Sequence, residues 1–87
     1  MCPTARPPRH RLVVPDLGLG PARIVLSLWL VPEGSRVLAG DRVVELLAGG
    51  ATVDLEAPVS GRLAARFADE DDPVTVGAVL AEFEVEK

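Results

Sequence analysis

Eighty-seven residues, one cysteine and a net charge of −4 describe one small domain that closes no internal disulfide. The acidic balance excludes nucleic acid as a natural partner. Aromatic residues are only 3% of the chain (Trp29, Phe67 and Phe83), so valine, leucine and alanine must fill a thin core. That disfavours an enzyme built around a large pocket.

Residues 1–11 hold three prolines and three arginines and little that could pack, and are expected to form a disordered tail ahead of a domain at 12–87. The apolar stretch 12–14 ends at Pro15 and the loop Leu17-Gly18-Leu19-Gly20-Pro21. Residues 23–31 follow as a β-rich run, with Ile24, Leu26, Leu28 and Leu30 expected on one face. Pro32-Glu33-Gly34-Ser35 turns the chain, Val37 and Leu38 form a stub, and Ala39-Gly40-Asp41 turns it again. Residues 43–48 make the next strand, and Gly49-Gly50 is a two-residue hairpin signal of type I′. In the returning strand Val53, Leu55 and Ala57 point inward against Thr52, Asp54 and Glu56. Leu63, Ala65 and Phe67 alternate in the same way with Arg62 and Arg66. An acidic turn, Asp69-Glu70-Asp71-Asp72-Pro73, precedes a second stub at 74–76 and Gly77. In the last strand Val79, Ala81, Phe83 and Val85 alternate with Glu82, Glu84 and Glu86. A period of two dominates, which defines an all-β domain.

A displacement of 37 positions lays one half on the other: Pro21 on Pro58, Leu26 on Leu63, Glu33 on Glu70, Val37 on Val74, Gly40 on Gly77 and Glu45 on Glu82. Leu30 meets Phe67 and Leu46 meets Phe83, so apolar character is kept as well. Two such units can bury their apolar faces against each other. The expected fold is a flattened barrel-sandwich hybrid of two antiparallel sheets with an internal pseudo-two-fold axis.

In this order and spacing, Val14-Pro15-Asp16-Leu17-Gly18, Trp29-Leu30-Val31, Glu33-Gly34, Gly40-Asp41, Ala51-Thr52-Val53, Ala57-Pro58-Val59-Ser60-Gly61 and Val76-Gly77 carry a resemblance. The chain resembles the lipoyl domains of 2-oxo acid dehydrogenase acyltransferase components, within the wider biotinyl/lipoyl carrier family. The resemblance implies a lysine at the tip of a hairpin, whose exposed amine takes lipoate or biotin as a swinging arm. At the corresponding place this chain has Leu47-Ala48-Gly49-Gly50-Ala51, with Gly50 in the lysine position and Gly49 in the acidic position before it. Glycine offers no nucleophile, so neither cofactor is expected at the tip. Lys87 is the only lysine in the chain.

The resemblance also sets the loop 17–22 beside the hairpin, on the side that meets partner enzymes. Leu17, Leu19, Leu47, Ala48, Gly49 and Gly50 are therefore the candidate partner contacts. No catalytic constellation occurs. Cys2 and His10 lack further ligands, and the acidic turn matches no calcium loop, so no metal is expected. Trp29 is expected in the core. No apolar run is long enough for a membrane helix, and the cytoplasm is the expected compartment. The functional expectation is a non-enzymatic, unmodified lipoyl-like domain acting through protein contacts beside a dehydrogenase or carboxylase subunit. Two alternatives stand beside it: a carrier modified elsewhere, through Lys87, and a structural assembly module.

Overall fold

The computed structural model describes residues 8–18 and 23–86. Eight strands and no helix appear among them: β1 (Arg9–Val13), β2 (Ile24–Trp29), β3 (Arg36–Val37), β4 (Arg42–Ala48), β5 (Ala51–Glu56), β6 (Gly61–Arg66), β7 (Pro73–Val74) and β8 (Val79–Val85). They form two antiparallel four-stranded sheets, in the orders β1-β8-β6-β3 and β5-β4-β2-β7. The sheets do not close into a barrel, so β1, β3, β5 and β7 remain edges.

The repeat in the sequence is a repeat in the hydrogen bonding. β2, β3 and β4 lie 37 positions before β6, β7 and β8, and Ile24 pairs with Ala48 as Gly61 pairs with Val85. The short strands obey the same symmetry across the halves: Ile24 faces Val74 in one sheet, and Gly61 faces Val37 in the other. The bonds that continue each short strand are also duplicated. Asp71 N–H donates to Leu26 O at 2.7 Å, and Gly34 N–H donates to Leu63 O at 2.7 Å. Asp71 and Gly34 both have positive φ, at 73° and 94°. The equivalent turn therefore needs the left-handed conformation in both halves, which aspartate tolerates better than most side chains.

Two expectations about facing are corrected. Register shifts between Leu26 and Leu28 and between Leu63 and Ala65 mark a β-bulge at the same point of each repeat. One extra residue flips every later side chain to the other face. Leu28 and Leu30 are therefore exposed and Trp29 is buried. Phe67, expected inward with Leu63, is 55% exposed. The tail boundary also moves. Arg9, His10 and Arg11 belong to β1 and pair with Glu84, Phe83 and Glu82. Residues 1–7, 19–22 and 87 lie outside the described part, and with them most of the expected tail, Leu19 and Lys87.

Between the sheets, Leu26, Leu46, Leu63, Leu80 and Phe83 are fully buried together with Val14, Val43 and Val44. Val53 is half-buried against this core, and Leu55 and Ala57 are buried, as their alternation requires. Trp29 seals one margin. Its indole N–H donates to Ala68 O at 3.0 Å, and the Arg66 guanidinium lies 5.4 Å above its ring. Burying an indole this way satisfies its one donor while its apolar surface leaves water. Among the described residues no buried side-chain polar atom lacks a partner.

Candidate functional site

The β4–β5 hairpin turns on two residues, Gly49 and Gly50, with φ of 57° and 85°. Positive φ at both central positions is the type I′ turn that matches the twist of the flanking strands. Ala48 and Ala51 close the turn. A Cβ built on Gly50 would meet nothing within 4 Å, so the tip is open to solvent. Open as it is, it holds no amine, hydroxyl or thiol.

The row of side chains behind the tip runs across the outer face of its sheet as Thr52, Leu47, Val25 and Pro73. Leu47 is 41% exposed, and no member of the row is charged. The equivalent row of the other sheet, reached through the pseudo-two-fold axis, is Arg9, Glu84, Arg62 and Arg36. Glu84 bridges Arg62 at 2.7 Å and Arg9 at 3.5 Å, and Arg36 pairs with Glu86. Glu82 extends the ladder to Arg9 and Arg11 at 3.1 and 3.4 Å. One backbone plan thus carries two surfaces. At the end where β1 begins and β8 finishes it carries paired charge. At the hairpin end it carries uncharged groups.

Each candidate contact can now be placed. Leu47, Gly49 and Gly50 lie at the exposed hairpin end. Ala48 is 1% exposed and points into the core, because it alternates with Leu47; it is not a surface contact. Leu17 is half-buried and packs on the core, just before Gly18, whose N–H donates to the Asp16 carboxylate at 2.9 Å. This loop is anchored beside the turn at 77–78: Gly77 N–H donates to Val14 O at 2.8 Å, and Val14 N–H donates to Ala78 O at 3.0 Å. Leu19 falls outside the described residues.

Reading the sequence in single strands missed Val25 and Pro73 as members of this end. Overlaying the two halves would have found Val25, because its counterpart is Arg62 and that of Leu47 is Glu84.

Two sheets related by an internal pseudo-two-fold axis, with one hairpin projecting at an end, form a scaffold that leaves one turn exposed. The class it defines is a small all-β domain built on an internal repeat. The chain belongs to the biotin/lipoyl family, described as "Biotin-requiring enzyme", whose profile matches residues 10–83. It is 36% identical over 78 residues to a lipoamide acyltransferase component of a branched-chain alpha-keto acid dehydrogenase complex from Pseudomonas putida, covering 88% of this chain and 18% of that protein. It is 35% identical over 72 residues to a dihydrolipoyllysine-residue acetyltransferase component of an acetoin cleaving system from the same organism, covering 83% of this chain and 20% of that protein. A pyruvate dehydrogenase acetyltransferase component from Corynebacterium glutamicum is 32% identical over 68 residues, covering 78% of this chain and 10% of that protein. The chain thus spans a fifth or less of these relatives' length.

The family carries lipoate or biotin, and such a group is held through an amide to a lysine amine. Gly49 and Gly50 do not supply that chemistry, and no described residue is a lysine. The tip as built does not fit either group. No helix among the described residues is long and apolar enough to cross a membrane.

Proposed function

We propose that this domain is a non-catalytic, unmodified lipoyl-like module of the cytoplasm. It binds a protein partner through its hairpin end, as an accessory to a 2-oxo acid dehydrogenase or a biotin-dependent carboxylase. The reading is carried by one observation: the end that would present the cofactor lacks the attachment chemistry, and the row behind its tip, Thr52, Leu47, Val25 and Pro73, carries no charge. A face maintained only for solubility would be expected to resemble the opposite end, where every outward position of the matching row is charged. Burying Leu47 fully would contribute roughly 1 kcal/mol or more, enough to matter at a small interface.

The test is capture of purified dehydrogenase and carboxylase subunits by this chain and by its Leu47→Glu variant, with an authentic lipoyl domain as reference. Capture that Leu47→Glu weakens at least about tenfold agrees with the reading. Failure to capture any subunit that the reference retains counts against it, as does capture indifferent to Leu47.

A further inference from the structure

The uncharged row behind the hairpin tip does not stop at Pro73. Pro73 also lines an open groove, shared with Phe67 and Val79 of the other sheet. Phe67 N–H donates to Leu80 O at 2.9 Å, which sets Phe67 beside Val79, and Val79 pairs in turn with Val13 of β1. Leu12, Leu80 and Ala81 point into the core, whereas Val13 is 41% and Phe67 55% exposed on the outer face. Asp72 is the one charged residue lining this groove, and its carboxylate is turned back to accept from the Asp69 N–H at 2.8 Å. An uncharged strip thus runs from the outer face of one sheet, round the margin at β7, to the outer face of the other.

The pseudo-two-fold axis supplies an internal control. The counterparts of Phe67 and Val79 are Leu30 and Arg42, and Glu56 faces Arg42 as Val13 faces Val79. Leu30 N–H donates to Val43 O at 2.9 Å, which repeats the Phe67 bond. With Arg9, Glu84, Arg62 and Arg36, six of the seven equivalent places hold arginine or glutamate, and the strip itself holds none.

We infer that this strip is one continuous docking surface, which seats an extended, uncharged and largely apolar segment of a partner protein laid from Leu47 across the groove to Val13. Charge matching selects the chemistry: a carboxylate or a cation laid along the strip would lose its water and meet no counter-charge. Shape selects the occupant. A stable interface buries roughly 800 Å² on each side, whereas a second copy would offer the same convex margin and meet this one along a single line. An extended segment can follow the bend. With strands about 4.8 Å apart, the path from β4 to β1 is roughly 30 Å, the reach of about nine extended residues. Phe67, the only aromatic on the strip, is the central anchor. The inference rests on the reading that the hairpin end meets a protein, and it carries that contact onto the second sheet.

Affinity of the full chain for the purified subunit captured in the Leu47 test decides it. Phe67→Glu should weaken binding at least about tenfold, as Leu47→Glu does. Leu30→Glu, the matched change outside the strip, should leave binding within about twofold. Both side chains are exposed, so both variants keep the fold, and unchanged thermal midpoints check this. Added salt should leave binding undiminished, since no ion pair holds the segment. Methyl resonances of Val13, Val25, Leu47 and Val79 should shift together and saturably as the subunit is added. Four results overturn the inference while the Leu47 reading stands: binding indifferent to Phe67→Glu, equal weakening by Leu30→Glu, loss of binding in salt, or methyl shifts confined to the Leu47 side. Self-association of the chain that Phe67→Glu abolishes also overturns it, because the strip would then belong to a second copy. If no subunit is captured at all, both readings fall.

Discussion

The two ends of this molecule are built on the same hydrogen-bond plan, yet their surfaces are opposite. At one end Arg9, Glu84, Arg62 and Arg36 stand in a row across the sheet; at the other the same four places hold Thr52, Leu47, Val25 and Pro73. Backbone symmetry therefore fixes where side chains point but not what they do there. Exposed ion pairs contribute only tenths of a kcal/mol each, so the charged row is mainly a solubility device that also discourages wrong contacts. The uncharged row has no comparable structural use, and the proposed function rests on that asymmetry.

The interiors differ too. Ile24 fills the core beneath the hairpin end, whereas the equivalent residue at the charged end is Gly61. A Cβ on Gly61 would come within 1.8 Å of the Glu84 carbonyl oxygen, so the backbones approach there more closely than any side chain permits.

Perturbing equivalent places in the two halves sharpens the comparison. The largest effects should come from Leu26→Ala and Leu63→Ala, a matched pair that is fully buried. Each should cost about 3 kcal/mol, read as a lower urea midpoint. Closely similar losses would show that the halves share one core, and a strongly unequal pair would break the equivalence. Next, Gly61→Ala should cost about 1–3 kcal/mol or more from overpacking against Glu84. Gly50→Lys should cost only about 1–2 kcal/mol, since its Cβ meets open space and the strain lies in φ alone. Thermal denaturation of the two variants distinguishes crowding from strain. The smallest effect is expected from Glu84→Gln, under about 1 kcal/mol and fading in 1 M salt, because its arginine partners are more than half exposed or close to it. A salt-insensitive loss there would mean that the ladder holds the sheet together rather than merely covering it.

Much of this architecture was legible in the sequence because period-two alternation and the 37-residue repeat both report strand geometry. The Gly49-Gly50 turn was legible for the same local reason, since two adjacent glycines suit two positive φ values. The bulges were not. Ser27 and Ala64 carry no special chemistry, and only cross-strand pairing reveals that each stands unpaired. Leu28, Leu30 and Phe67 were consequently assigned to the wrong side, while Trp29 lies in the core as expected. The strand formed by Arg9–Val13 was hidden by its composition, because its arginines are held by glutamates more than 70 residues away. At the candidate site, Leu47 and the glycines were readable from the turn, while Val25 and Pro73 depended on neighbours contributed by other strands.

The central claim is that the hairpin end is used without a tethered group, and mass measurement tests it most directly. The chain should be produced together with lipoate and biotin ligases and their cofactors, with Gly50→Lys alongside as a variant that restores an amine to the tip. The account expects the natural chain to keep the mass of the bare polypeptide. A lipoyl or biotinyl mass on the natural chain would contradict it.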